Sequence, residues 1–247
     1  MSRKFLVLFI FASLTSGWQS SQADHEADPQ TMRALEAVFA ERKPDRIEHS
    51  PIPGLYELTY GPDVVYVTKD GRYLFQGNVY DVVQRENITE PKRKEARIAA
   101  IGALGEKSMI VFGPKQAKYE VTVFTDVDCG YCRKLHREMN ELNRLGVKIR
   151  YLAFPRAGIG SETYNTMVSV WCADDPQKAM TDAKAERPVA PKQCENPVSE
   201  HYSMGRALGV TGTPTLVLEN GELVPGYVPA ARLVQMIEAE RAKTAAR

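Results

Sequence analysis

The chain has 247 residues, 43% of them hydrophobic and 26% charged, the composition of a folded protein able to bury a core and not that of a disordered or fibrous one. With 32 basic side chains against 31 acidic ones, the formal net charge is +1. That balance gives no electrostatic reason to expect nucleic acid as a partner, because phosphate binding requires clustered Lys and Arg.

The N-terminus begins with a short basic region, Ser2-Arg3-Lys4, then an apolar run from Phe5 to Leu14, then small residues at Ser21-Gln22-Ala23. This reads as a secretory signal peptide over residues 1–23, cleaved near Ala23. The apolar run is about half of the roughly 20 residues that a membrane-spanning helix needs. The mature chain is therefore expected outside the cytoplasm, where disulfides persist.

Gln30 to Arg42 carries Met32, Leu35, Val38 and Phe39 at helical spacing. Between Gly54 and Val83 the pattern is that of strands: "LYELTY", "VVYVTKDGRYLFQG" and "NVYDVV". Asp70-Gly71 predicts a type I′ hairpin turn, in which both central residues need positive φ. Residues 24–92 thus read as one unit, a helix plus an antiparallel meander without cysteine. A unit of that size has little core and is expected to gain stability by pairing. "NIT" at Asn87 matches a glycosylation sequon, a three-residue match that carries little weight.

Pro91 to Leu104 predicts a helix that links this unit to the rest, with the linker as a whole placed at residues 93–108. Residues 109–247 then begin with two strand signals, "MIVFG" and "KYEVTVFTD". A helix follows, on which Leu135, Met139 and Leu142 face inward, and then "VKIRYLAFP", a run suited to an interior strand. Strand, helix, strand implies a parallel βαβ unit. Ser161 to about Leu208 reads as helical, broken by "ERPVAPKQCENP". "TPTLVLENGELVPGY" predicts two strands around a second type I′ turn at Asn220-Gly221, and Ala231 to Ala242 a closing helix.

Only four cysteines occur, and two of them, Cys129 and Cys132, are separated by Gly130 and Tyr131 at the start of the central helix. Zinc is a weak reading: Cys172 and Cys194 form no second C-x-x-C knuckle, although four cysteines can still converge in space. His136 receives no role, since on this helix it reads as solvent-facing or hydrogen-bonded. A structural staple is also weak, because a bond across two residues restricts the unfolded chain little. Placement at a helix N-terminus favours a thiolate, through unpaired N–H groups and the positive end of the dipole. Cys129 is thus expected to be exposed and nucleophilic. Cys132, one turn in and shielded, is expected to resolve the mixed disulfide. Exchange of this kind uses sulfur alone, and neither metal nor cofactor is expected.

"CGYC" after a strand, a helical insertion and "TGTPTLV" before a hairpin resemble the thioredoxin fold. With "FTDVDCGYCRKLH", "RYLAFPR", "LGVTGTPTLVLENGELVPGY" and "DGRYLFQGNVYDV", the chain resembles the DsbC/DsbG family of bacterial periplasmic thiol:disulfide interchange proteins, closer to the DsbC side. The resemblance covers nearly the whole mature chain. It implies an α+β cystatin-like N-terminal dimerisation domain, a linker helix, and an α/β thioredoxin-like catalytic domain with a helical insertion.

It further implies that Cys129 attacks and Cys132 resolves, that Gly130 and Tyr131 tune the redox poise, and that Thr213 precedes a cis Pro214 beside the pair. Cys172 and Cys194 would form the family's structural disulfide. The implied activity is isomerisation or reduction of wrong disulfides in misfolded exported proteins, with chaperone activity, by a homodimer whose electrons come from a DsbD-like membrane reductase. A DsbG-like reductase of single cysteines and a dithiol oxidase are the alternatives. One departure matters: where thioredoxin buries an acid six residues before the first cysteine, this chain has Val123. The proton of Cys132 must therefore move through water or through a group that the sequence does not identify.

Overall fold

The computed structural model describes residues 29–39, 41 and 43–245. The signal-peptide reading and its Ala23 site lie outside the described residues. Among those described, no helix is long and apolar enough to cross a membrane.

The first unit opens with α1 (Pro29–Val38), shorter than its apolar spacing predicts. A four-stranded antiparallel sheet follows, β1 (Arg46–His49), β2 (Leu55–Tyr60), β3 (Asp63–Thr68) and β4 (Leu74–Gln76), in that spatial order. Strand β1 is not apparent in the sequence, because "RIEH" offers one buried apolar residue, Ile47, between polar ones. The unit's core is small: Leu35, Ile47, Tyr56, Leu58, Val65 and Val67.

The turn at Asp70-Gly71 is not type I′. Only Gly71 has positive φ, and Thr68 N donates to Tyr73 O at 3.0 Å across a four-residue loop. Asp70 instead accepts from Thr68 Oγ1 at 2.5 Å and Arg72 N at 3.1 Å, an Asx-type arrangement that lets aspartate stay at negative φ. Two short strands, β5 (Tyr80–Asp81) and β6 (Glu86–Asn87), complete the unit. Asn87 Oδ1 accepts from Thr89 N at 3.0 Å and Glu90 N at 3.2 Å, so its side chain serves the start of the next helix.

That helix, α2 (Glu90–Leu104), ties the two halves together. On one side Lys92 pairs with Glu48 at 3.1 Å. On the other, buried Arg97 donates to Gly221 O at 2.9 Å and Lys94 pairs with Glu222. Gly221 has φ +78°, and a Cβ there would lie 2.3 Å from Lys94 O, so only glycine permits this approach.

The second unit is a five-stranded sheet in the order β11-β10-β8-β9-β7, made of β7 (Ile110–Phe112), β8 (Tyr119–Thr125), β9 (Val147–Ala153), β10 (Thr215–Val217) and β11 (Leu223–Pro225). Only β8 and β9 are parallel, as the strand–helix–strand order requires. Between them the expected single helix is two, α3 (Gly130–Arg137) and α4 (Met139–Arg144). The break falls at Glu138, whose carboxylate accepts from Ala230 N at 2.8 Å and from Tyr227 OH, binding the later chain to this corner.

The insertion contributes α5 (Glu162–Trp171), α6 (Pro176–Lys184) and α7 (Val198–Ala207), and α8 (Ala230–Ala245) closes the chain over Leu233 and Ile237. The hairpin at Asn220-Gly221 also departs from type I′. Leu218 N donates to Glu222 O at 3.0 Å and Gly221 N to Leu218 O at 2.9 Å, with only Gly221 at positive φ. This is a three-residue loop with glycine in the left-handed position.

Candidate active site

The parallel pair β8–β9 ends at Thr125 and Ala153, and the chain turns from β8 directly into α3. The turn is held by Asp126, which is almost fully buried. Its Oδ1 accepts from Asp128 N at 2.7 Å, and its Oδ2 from Arg156 N and Nε, both at 2.9 Å. Its carbonyl accepts from Cys129 N at 3.2 Å. Arg133 reaches back to Val127 O at 2.9 Å and pairs with Glu186 at 2.6 Å. The loop carrying Cys129 is thus fixed by neighbours on both sides before any chemistry occurs.

Cys129 is the N-cap of α3, with φ −84° and ψ 119°, so its sulfur stands over the free N–H groups of the first turn. Its pKa is brought down to about 5. The strongest cause is a hydrogen bond from the Cys132 thiol; burial opposes it, and the Thr213 side chain and the backbone at Cys132 and Tyr131 add to the lowering. Cys132, fully buried, is shifted the other way by burial first and by its bond to Cys129 second. The pair therefore shares one proton, held on the inner sulfur.

Exposure differs from the sequence expectation. Cys129 is only 4% exposed, because the loop before β10 folds over it. The Thr213–Pro214 peptide is cis, and in the thiol form Cys129 Sγ donates to Thr213 O at 3.1 Å. The Thr213 hydroxyl is buried and, with Cys129 as a thiol, has no hydrogen-bond partner. Once Cys129 ionises its sulfur becomes an acceptor, and this hydroxyl is the donor at hand. Gly226 N donates to Pro214 O at 2.8 Å, fastening the loop to β11. Gly130 has open space around it, and Tyr131 is 65% exposed, its ring stacked on Tyr227 at 6.5 Å.

Cys172 and Cys194 are joined by a disulfide with Cα atoms 5.7 Å apart, while Cys129 and Cys132 are both free. The four cysteines do not converge. The bridge ties the end of α5 to the loop before α7 within the insertion. His136 is buried and hydrogen-bonded to Tyr151 OH and Thr181 Oγ1, each at 3.2 Å. Burial lowers its pKa to about 4, so it stays neutral.

Four residues beside the pair escape sequence reasoning: Asp126 and Arg156, which hold the turn, and Thr125 and Lys184, whose Nζ donates to Thr125 Oγ1 and Asp126 O. Asp126 lies three residues before Cys129 within "FTDVDCGYCRKLH", where a carboxylate so near the pair is itself a signal. Lys184 gave no signal, since α6 delivers it from 58 positions downstream of Asp126.

Residues 20–90 match the family described as disulfide bond isomerase protein N-terminal domain, and residues 105–241 a thioredoxin-like domain. The chain is 38% identical over 244 residues to the thiol:disulfide interchange protein DsbC of Escherichia coli strain K12, covering 98% of both chains. It is 41% identical over 229 residues to the protein of that name from Salmonella typhimurium, covering 92% of each. A solved structure of a disulfide interchange protein from Neisseria gonorrhoeae is 33% identical and aligns with a TM-score of 0.49 over 55% of this chain and 96% of that one. With an isomerase N-terminal domain ahead of a thioredoxin-like domain that carries the free thiols Cys129 and Cys132, and with relatives this similar over more than nine-tenths of the chain, the protein belongs to the DsbC family of thiol:disulfide interchange enzymes.

Proposed function

We propose that the protein works in the periplasm as a homodimeric disulfide isomerase, with Cys129 attacking wrong disulfides in misfolded exported proteins and Cys132 resolving the product. The unequal pair carries this reading: at neutral pH the outer sulfur is a thiolate and the inner one holds the proton. Cys129 Sγ attacks a substrate disulfide, one substrate sulfur leaves as thiolate, and a mixed disulfide forms. A second substrate thiolate then displaces Cys129, which is isomerisation. If none arrives, Cys132 gives up its proton, attacks Cys129 Sγ and releases the substrate reduced. The second route leaves the pair oxidised, and a DsbD-like membrane thiol reductase is the donor that resets it. Gly130 and Tyr131 shape the mouth of the site, Thr213 and Pro214 its wall, and Cys172–Cys194 a structural bridge.

The division into residues 24–92, 93–108 and 109–247 belongs to the same reading. The dimer is supported by an apolar strip on the first unit. Tyr73, Leu74, Phe75, Tyr80, Val82 and Val83 are all exposed, Val83 at 88%, along the β4 edge and the β5–β6 ribbon. An open apolar strand edge is a surface that a second copy can cover. Paired sites facing a shared apolar cleft would hold unfolded substrates and add chaperone activity.

Reactivation of scrambled ribonuclease tests the whole. The intact protein should restore activity, and a Cys129→Ala, Cys132→Ala double variant should not while still suppressing aggregation. Val82→Asp, Val83→Asp should sediment as a monomer and lose isomerisation. Reactivation by the double cysteine variant would end the enzymatic reading, and full isomerisation by a monomer would end the role given to the first unit.

A further inference from the structure

Lys184 is the last residue of α6 and is 4% exposed, yet it carries an amine into the protein interior. No carboxylate lies within ion-pair distance of its Nζ among the described residues. Asp126, the carboxylate that acts on the Lys184 amine, is committed to Arg156 at 2.9 Å. A buried ammonium without a counter-ion is costly and is normally paired.

What Nζ does touch leads to the cysteine pair. It donates to Thr125 Oγ1 at 2.7 Å and to Asp126 O at 2.8 Å. The Thr125 hydroxyl and the Asp126 backbone are also the groups that, with the charge on Lys184, favour the ionised form of Cys132. Thr125 thus touches the amine directly, and its hydroxyl acts on the inner sulfur as well. Its hydroxyl can accept from one and donate to the other at once.

We propose that Lys184 is the positioning base of the resolving step, taking the proton of Cys132 through the Thr125 hydroxyl and then holding the thiolate as its counter-ion. The step balances. Cys132 Sγ–H passes its proton to Thr125 Oγ1, whose own proton passes to the neutral Lys184 amine. The Cys132 thiolate attacks Cys129 Sγ, an intramolecular S–S bond forms, and the Cys129–substrate S–S bond breaks. Two electrons leave with the substrate sulfur, and the new ammonium returns its proton to solvent. Lys184 lines a cleft of about 450 Å³ with Arg133, His136 and Thr181, which offers water a way in.

Burial brings the Lys184 amine down to about 8, so a usable fraction is neutral near physiological pH. The groups facing it are Cys129 at the N-cap of α3, Cys132, Arg133 and His136 of α3, Asp126 of the preceding turn, Tyr151 of β9, whose ring centre lies 5.8 Å from Nζ, and on the cleft rim Glu186, which pairs with Arg133. Arg133 pushes the same way as burial, while both cysteines and Asp126 push back. Position 123 of β8 is valine and the one carboxylate on that strand, Glu120, is paired with Lys148 and Arg150, so the amine fills a role that the strand does not supply.

The inference rests on Cys132 being the resolving thiol, and the test separates the two. A mixed disulfide is formed between Cys129 of the full-length protein and a small aromatic thiol, and thiol release is followed against pH. Cys132→Ser should abolish release; if it does not, the underlying reading fails. Lys184→Met should slow release about 100-fold at neutral pH. Its pH profile should lose the rise centred near 8 and move to higher pH. Thr125→Val keeps the lysine and cuts the relay, so it should show the same shift, and Lys184→Arg, which cannot accept the proton, should also stay slow. A wild-type profile in both Lys184→Met and Thr125→Val, or slow release with the wild-type pH dependence, overturns the proposal. So does full recovery in Lys184→Arg.

Discussion

Two cysteine pairs occupy one small domain, and their fates are opposite. Cys172 and Cys194 close a separation of 22 residues in the helical insertion and are joined to each other. Cys129 and Cys132 are three positions apart at a helix start, where backbone N–H groups, the Thr213 side chain and a thiol all point at one sulfur. Loop length decides which bond stabilises the fold, and local donors decide which sulfur reacts. A cysteine's chemistry is thus set by where the backbone ends are left unpaired, not by the residue itself.

The contrast can be broken most severely at Cys129. Replacing it with Ser should lower disulfide reactivation by about a thousandfold or more, since the nucleophile itself is lost. A Cys172→Ala, Cys194→Ala variant, assayed where it remains folded, should keep most of its activity. Its own deficit is in stability: about 3 kcal/mol less by denaturant unfolding, from the loop-closure entropy of a 22-residue separation. An unchanged midpoint would show that the bridge is incidental.

Next in size is Gly221→Ala, which drives a Cβ to 2.3 Å from Lys94 O at φ +78°. It should cost about 2 kcal/mol and loosen α2 from the β10–β11 hairpin, visible as faster amide exchange in α2. Smallest is Thr213→Val, which removes one donor from the Cys129 thiolate. The pKa of Cys129 should rise by about one unit, worth roughly 1.4 kcal/mol, with the fold intact. No rise would mean that the hydroxyl does not serve the anion.

How much of this the sequence disclosed follows from range. The βαβ core, the cysteine pair and the loop at Thr213-Pro214 rest on local patterns and contiguous motifs, and they were legible. The two hairpins are legible in the sequence but their turn type is not, because Asp70 satisfies its turn through its own side chain and Gly221 answers to a helix far away in sequence. The break at Glu138 and the arrival of Lys184 depend on tertiary partners, Ala230 and Thr125 respectively, which no local periodicity encodes. Strand β1 went unseen because one buried residue sets no period.

The asymmetry of the reactive pair also has a sign in stability. Cys129 ionises near 5 when folded but near its ordinary value, about 8.5, when unfolded. The unfolded chain therefore holds more protons between those values, and the reduced protein gains stability as pH rises through that window, losing it again as pH falls through 5. Buried His136 and His201, both held neutral down to about 4, also lose stability in acid, so Cys129→Ser is the control that isolates the thiol.

Thiolate absorbance of the reduced protein, titrated from acid to alkaline pH, tests the unequal pair most directly. The structure predicts one thiolate appearing with a midpoint near 5, absent in Cys129→Ser, and no second step until strongly alkaline pH. Two thiols titrating together in the ordinary range near 8.5 would contradict it.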